Sequence, residues 1–249
     1  MRFMRVVSAG AIGLVLACGG GDAAEESADA MSVEDVSDAV TADPDHYSVE
    51  FENDAVRIVR VSYGPGEASV MHSHPPLCSV GLSASAWEMT NADGTVEENT
   101  GARGDVECGE QGSVHIPRNT SDGVNEAILV EIKNGAMAGT VWTPEEPHAA
   151  GADPDHYQVE AENDVVRMLR VRYGPGETSI MHHHPANCVV FLQDGPTTFE
   201  LPSGETIEGA AGDAGTVNCG DGEVHLPTHT GDGELEVVLI EFKGRATAS

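Results

Sequence analysis

Two pairs of histidines, each separated by a single residue, are the features of this sequence best suited to chemistry. His72 and His74 form the first pair, and His182 and His184 form the second. Strand side chains alternate between faces, so two residues one apart on a strand point the same way. Neutral imidazole is a common ligand of transition metals. The spacing therefore predicts that both imidazoles of each pair reach one metal ion.

The surrounding residues give each pair a wider motif. Gly66–His74 reads Gly-x5-His-x-His, and Gly112–Asn119 reads Gly-x2-His-x3-Asn. Together they resemble the two signature motifs of the cupin superfamily, whose members are antiparallel jelly rolls with a metal inside the barrel. Both motifs return at Gly176–His184 and Gly222–His229. The resemblance implies two metal sites, and their ligands would be His72, His74 and His115, then His182, His184 and His225.

The sequence also departs from the cupin pattern. Many cupins carry a glutamate three or four residues after His-x-His, whereas Cys78 and Cys188 stand there in this chain. Counting by two along a strand places these sulfurs on the histidine face. Each site is then either three histidines with a neighbouring thiol or a mixed nitrogen and sulfur site. His229 replaces the expected asparagine in the second copy, which puts in question the groups that orient the metal ligands of that site.

Cupins with three histidines and no glutamate are similar to mononuclear iron dioxygenases that act on thiols, diketones or dihydroxyaromatic acids. Neutral ligands leave the ion its full charge, which favours a small anionic substrate. The resemblance favours Fe(II), with Mn, Ni and Zn as other candidates. The alternative is a non-catalytic periplasmic module that binds a metal or small ligand. The longer apolar run at 189–192 favours the second barrel as the catalytic one.

The motifs lie in two repeats that align at an offset of 110 residues. Asp43–Tyr47 matches Asp153–Tyr157, and Glu131–Lys133 matches Glu241–Lys243. A long period with only two copies indicates a duplicated domain. The predicted domains are 43–136 and 153–246, joined by a linker at 137–152.

Each repeat shows a β pattern throughout. β-branched residues recur in the predicted strands at 56–61 and 165–171, further strands are predicted at 127–132 and 235–242, and turn dipeptides such as Asp93-Gly94 separate the strands. The predicted fold is all-β, with two tandem cupin-type jelly-roll barrels.

The N-terminal residues indicate export. Arg2 and Arg5 precede an uncharged apolar run at 6–17, which is typical of a signal peptide. The residues that end at Cys18 resemble a bacterial lipobox, which implies lipidation of Cys18 and anchoring in the cell envelope, periplasm-facing or at the outer membrane. Residues 18–42 are small and acidic, and they read as a flexible tether.

Composition limits the partners. There are 42 acidic and 12 basic residues, and the formal net charge is -30. This charge excludes nucleic acid and anionic membrane surfaces as partners and leaves a lipid anchor as the route to a membrane. The sequence leaves open whether the chain forms a homodimer.

The remaining cysteines occur two per repeat. An even number in an exported chain favours disulfides, here Cys78 with Cys108 and Cys188 with Cys219. Buried free thiols are the alternative arrangement.

Overall fold

The computed structural model describes residues 33–133 and 147–243. The predicted signal peptide, Cys18, and much of the predicted tether and linker lie outside these residues. Within them, no helix is both long enough and apolar enough to cross a membrane. Two four-residue helices and one 3-10 turn accompany the strands, so the prediction of an all-β fold is confirmed.

The first repeat forms two antiparallel sheets. Its strands are β1 (Tyr47–Glu52), β2 (Val56–Tyr63), β3 (His72–His74), β4 (Leu77–Gly81), β5 (Ser85–Asn91), β6 (Val96–Gly101), β7 (Val106–Cys108), β8 (Ser113–Asn119) and β9 (Asn125–Ile132). One sheet has the order β1-β2-β9-β4-β7, and the other has the order β3-β8-β5-β6. The chain crosses repeatedly between the two sheets, as it does in a jelly roll.

The second repeat has the same topology. Its strands are β10 (Tyr157–Glu162), β11 (Val166–Tyr173), β12 (His182–His184), β13 (Asn187–Phe191), β14 (Gly195–Glu200), β15 (Thr206–Gly212), β16 (Val217–Gly220), β17 (Glu223–His229) and β18 (Leu235–Phe242). The sheet orders are β10-β11-β18-β13-β16 and β12-β17-β14-β15. The structure is therefore two barrels in tandem.

Strand β2 shows why the larger sheet is apolar on both faces. Val59, Val61 and Tyr63 belong to the core inside the first barrel. Val56 and Ile58 alternate with them and pack in a cluster that also contains residues of the second barrel. Each large sheet therefore covers its own barrel interior with one face and contacts the other barrel with the opposite face.

The contact between the barrels repeats itself about a local twofold. Arg60 donates from Nη2 to the carbonyl of Gly215 at 2.5 Å, and Arg170 makes the equivalent bond to the carbonyl of Gly104. At the edge of the cluster, the rings of Phe51 and Phe242 stack with their centroids 6.0 Å apart. Apolar packing and paired hydrogen bonds thus hold the two large sheets together.

Each domain begins earlier than the repeat predicts. A short helix, α1 (Ala39–Ala42), buries Ala39 completely and lies in the segment predicted as tether. Just before it, the Ser37 carbonyl accepts a bond from the amide of Ser73 at 2.9 Å. In the predicted linker, α2 (Ala149–Ala152) packs on the second barrel in the same way. These segments cover the outer edges of β3 and β12, so residues 33–42 and 147–152 belong to the barrels.

Both cysteine pairs are disulfide-bonded. Cys78 is joined to Cys108, and Cys188 is joined to Cys219, each across two neighbouring strands with a Cα separation of 4.0 Å. Cys78 and Cys188 are fully buried in the cluster between the barrels.

The placement of Cys78 and Cys188 as neighbours of the metal is wrong. After His74 the prolines at 75 and 76 end β3, and the chain re-enters as β4 in the other sheet. Alternation by two does not continue through such a break. The interior positions of β4 are Leu77, Ser79 and Gly81, which line the cavity, while the sulfur of Cys78 faces away from the histidines. The mixed nitrogen and sulfur site is therefore excluded.

Candidate metal centres

In the first barrel the three predicted ligands meet. His72 and His74 lie on β3, and the neighbouring strand β8 carries His115 directly opposite His72 in the ladder. The three ring centroids are 4.9 to 5.2 Å apart. His72 and His74 are buried, and their possible ligand atoms lie within 4.8 Å of those of His115.

The second barrel repeats the arrangement. His182 pairs across the ladder with His225, and His184 lies two residues further along the same strand. The ring centroids are 4.7 to 5.2 Å apart, and Nε2 of His182 is 2.9 Å from Nε2 of His184. No carboxylate or thiol joins either set of candidate ligands within 33–133 and 147–243.

Hydrogen bonds fix which nitrogen faces the centre. Nδ1 of His72 donates to the Val70 carbonyl at 3.0 Å, and Nδ1 of His182 donates to the Ile180 carbonyl at 2.8 Å. With the proton held on Nδ1, the Nε2 lone pair of each ring points inward, which is the ligand form of imidazole. The donor set thus fits a transition metal held by three neutral nitrogens.

A buried glutamate from the opposite sheet orients one ligand in each barrel. Glu131 accepts a bond from Nδ1 of His74 at 2.8 Å, and Glu241 accepts the equivalent bond from His184 at 2.8 Å. Both carboxylates are 1% exposed. Their role was not apparent from the sequence, although Glu131 and Glu241 stand at matching positions of the two repeats. A charged residue inside an apolar strand was the available signal.

The two glutamates have different second partners. Glu131 also accepts a bond from Nε of Arg57 at 2.6 Å, and Arg57 reaches on to Asp38 at 3.0 Å. Glu241 instead lies 2.7 Å from Nε2 of His148, the residue that corresponds to Asp38. Burial raises the pKa of Glu241, but the bonds from His148 and His184 outweigh it and lower the pKa to about 2. Both carboxylates therefore remain charged acceptors.

The repeated Asp-Pro-Asp-His-Tyr segment braces the site from the other side. Asp43 accepts the hydroxyl of Ser69 at 2.5 Å, and Ser69 Oγ lies 3.1 Å from Nδ1 of His72. Tyr47, at the end of the same segment, places its hydroxyl 3.2 Å from Nε2 of His72. In the sequence this segment indicates only the duplication, because its contact with the histidines depends on the closed barrel.

Burial keeps His72, His115 and His182 neutral. Desolvation, with a smaller contribution from His74, lowers the pKa of His72 to about 4, and desolvation lowers that of His115 to about 3. In the second barrel, desolvation and the neighbouring imidazoles lower the pKa of His182 to about 3. A protonated imidazole cannot bind a metal, so these shifts keep the sites ready for one at neutral pH.

The asparagine of the second motif acts away from the metal. Asn119 is fully buried and donates from Nδ2 to the carbonyls of Tyr63 and Gly123 at 2.9 and 2.8 Å. His229 fills the same place, with its ring nitrogens 3.0 and 2.9 Å from the carbonyls of Pro196 and Gly233. The substitution therefore changes the hydrogen bonds that hold the loop after the strand and leaves the ligand contacts of the second triad in place.

Each barrel encloses a cavity next to its triad. The first cavity has a volume of about 440 Å³ and reaches His74 and His115. The second has a volume of about 240 Å³ and reaches His184 and His225. Both centres thus face a space inside the barrel.

Comparison with solved structures identifies the fold. AerE from Microcystis aeruginosa matches with a TM-score of 0.55 and 12% identity, over 80% of this chain and 93% of that one. A cupin 2 conserved barrel domain protein from Leptotrichia buccalis matches with a TM-score of 0.51 and 12% identity, over 79% and 88% of the two chains. The fold is that of a bicupin. At these identities the likeness of the bicupin chain to both proteins concerns the fold alone.

Salicylate 1,2-dioxygenase from Pseudoaminobacter salicylatoxidans, solved with gentisate, is a further neighbour of this bicupin. Its TM-score is 0.49 at 10% identity, and the match covers 76% of this chain and 68% of that one. No protein-family profile and no curated protein matches the sequence.

Proposed function

We propose that this bicupin is a mononuclear non-haem iron dioxygenase that acts on a small anionic molecule. The observation that carries the proposal is the convergence of three imidazoles, without a carboxylate ligand, beside a cavity inside the barrel. His72, His74 and His115 would hold the metal in the first barrel. Because all three ligands are uncharged, the full charge of the ion attracts an anionic chelating group.

Bound Fe(II) would supply the electrons and the Lewis acidity that reaction with dioxygen needs. The protein would hold the ligands still, since Glu131 orients His74 and the Val70 carbonyl orients His72. Burial raises the pKa of the Tyr47 hydroxyl well above its ordinary value, so this group stays protonated. Tyr47 can then donate a hydrogen bond to a substrate atom beside His72.

We also propose that the chain works at the bacterial cell envelope, held by a lipid on Cys18. The support is the basic start, the apolar run at 6–17 and the small residues that follow the cysteine. The acidic residues up to 32 would connect the anchor to the first barrel.

Oxygen uptake tests the proposed activity. The protein would be purified without a histidine tag, loaded anaerobically with Fe(II), and offered thiols, diketones and dihydroxyaromatic acids. We expect close to two metal equivalents per chain and substrate-dependent oxygen consumption that His115→Ala abolishes. Stoichiometric metal without oxygen consumption on any of the three classes would favour the alternative, a non-catalytic metal- or ligand-binding module.

A further inference from the structure

The two cavities differ in capacity although the barrels are repeats. Pockets that enclose small-molecule ligands usually have volumes of roughly 300–1,000 Å³. The first cavity, at about 440 Å³, lies within that range, and the second, at about 240 Å³, lies below it. Both adjoin a histidine triad, so the difference concerns what can reach the metal.

Two phenylalanines fill the second barrel. Phe199 lies over His225 with the ring centroids 4.0 Å apart, and the first barrel has Met89 at the matching position. Phe191 is fully buried, and Gly81 is its counterpart.

Two glycines in the wall of the second barrel accommodate these rings. A Cβ on Gly209 would lie 2.6 Å from the ring of Phe199, and a Cβ on Gly212 would lie 2.8 Å from the ring of Phe191. The absence of side chains at these glycines thus leaves room for the two rings, which occupy part of the space next to the ligands.

The linings differ in polarity as well. Ser79 and Asn99 line the first cavity where the second has Val189 and Ala210, and Gln111 adds a further amide to the first. The exchanges at Leu77 and Trp87, where the second barrel has Asn187 and Thr197, run the other way. Both linings contain hydrogen-bonding groups among mostly apolar side chains, and the first barrel offers the larger space.

Charge restricts what that space accepts. No lysine or arginine lines the first cavity, whereas Asp105, Glu107 and Glu126 do. An anionic group can find a positive partner only at the metal. A second anionic group further out would face carboxylates in a protein with a net charge of -30.

The apolar run at 189–192 was the sequence feature that favoured the second barrel as the catalytic one. Its side chains alternate between the two faces of the large sheet. Val190 and Leu192 pack in the cluster between the barrels. Val189 and Phe191 point inward and line the cavity. The run therefore narrows the cavity of the second barrel, which reverses the preference drawn from the sequence.

We infer that the first barrel alone admits substrate and that the second holds its metal in a structural site, beside a cavity too small to admit it. The inference rests on the proposed function and names its substrate class: a small molecule with one anionic chelating end, whose other atoms are uncharged. Met89 and Ser79 determine access in the first barrel. Phe199 and Val189 prevent it in the second.

Binding of 4-nitrocatechol, a chromophoric bidentate probe, tests the inference without any oxygen chemistry. The protein would be loaded with redox-inert Zn(II) and would carry Trp142→Phe, which leaves Trp87 in the first cavity as its single tryptophan. We expect one probe equivalent per chain by absorbance, and quenching of Trp87 fluorescence with the same dissociation constant. Two equivalents, or binding without quenching, would overturn the assignment.

Reciprocal exchanges between the barrels provide matched variants that keep all six ligands. Ser79→Val with Met89→Phe should weaken binding at least about tenfold, and Val189→Ser with Phe199→Met should create a second equivalent. Zinc content and circular dichroism would show that both variants are folded and loaded. If Val189→Ser with Phe199→Met weakened binding while Ser79→Val with Met89→Phe left it undiminished, the probe would bind in the second barrel, and the inference would be wrong.

Competition tests the charge requirement separately. Catechol should displace 4-nitrocatechol at least about tenfold better than 4-sulfocatechol does, because the sulfonate would face the acidic lining. Equal displacement would refute the restriction to one anionic group. A missing oxygenase activity would leave these binding results intact, so failure of the function and failure of the inference are distinguishable.

Discussion

Oε1 of Glu131 lies 2.8 Å from Nδ1 of His74, although the two residues are on strands of opposite sheets and 57 positions apart. The bond fixes the ring and keeps its proton on the nitrogen remote from the metal. Such partners of metal ligands typically contribute 10- to 100-fold in affinity. The relationship makes Glu131 a positioning residue for the first centre.

Glu131→Ala is expected to weaken metal binding in the first barrel by roughly 10- to 100-fold. Glu131→Gln should weaken it less, because the amide oxygen still accepts the His74 proton while the charge is lost. Competition with a chromophoric chelator would measure both constants. Glu241→Ala is the matched control and should weaken only the second site. An effect of Glu131→Ala on both sites, or on neither, would contradict the assignment.

The metal-free protein should lose stability as the pH falls from about 6.5 toward 4. The pKa values of His72, His115 and His182 are lowered to about 4, 3 and 3, so the unfolded chain binds protons in this window and the folded chain does not. Each histidine then contributes a loss of up to about 1.4 kcal/mol of unfolding free energy per pH unit.

Urea unfolding of the metal-free protein at several pH values would measure that slope. His115→Asn removes one titrating group and should make the slope shallower. The lowered pKa values of Glu131 and Glu241 act in the same direction at still lower pH, since carboxylates stabilised in the folded state lose that stabilisation on protonation. A stability that is flat between pH 6.5 and 4 would show that the triads are solvated.

Loss of one disulfide should destabilise the chain and spare its metal. Cys108→Ser opens a loop of 30 residues, which the chain-entropy model values at about 3–4 kcal/mol. The Cys78 thiol would stay in the apolar cluster between the barrels, away from the histidines. Denaturant unfolding and metal analysis of the same sample would check both parts. A folded variant that has lost a metal equivalent would contradict the placement of the sulfur.

Cys18→Ser is expected to move the protein from the membrane fraction to the soluble fraction or to block its processing. The substitution removes the thiol to which a lipid would be attached. Fractionation of cells and the mass of the mature protein would measure the outcome. Ser8→Ala, in the apolar run, is a suitable control and should leave the partitioning unchanged. Unaltered partitioning and mass for Cys18→Ser would refute the lipid anchor.

The sequence by itself determined the strands, the duplication and the three histidines of each triad. The strands follow from local alternation of side chains, and the duplication follows from the constant offset of 110 residues. The spacing of His72 and His74 places both rings on one face of a strand. His115 lies farther along the chain, and its position opposite His72 follows from the ladder between β3 and β8. The His-x-His spacing and the pairing of β3 with β8 agree, because side chains on both strands return to the same face at every second residue.

Only the tertiary structure decided what surrounds the triads. The break at 75–76 moves β4 to the other sheet, which turns Cys78 toward the second barrel and brings Ser79 to the cavity. Glu131 meets His74 because two sheets close over one space, and Phe199 covers His225 because Gly209 leaves room for its ring. Such contacts join residues remote in sequence, and local periodicity carries no information about them.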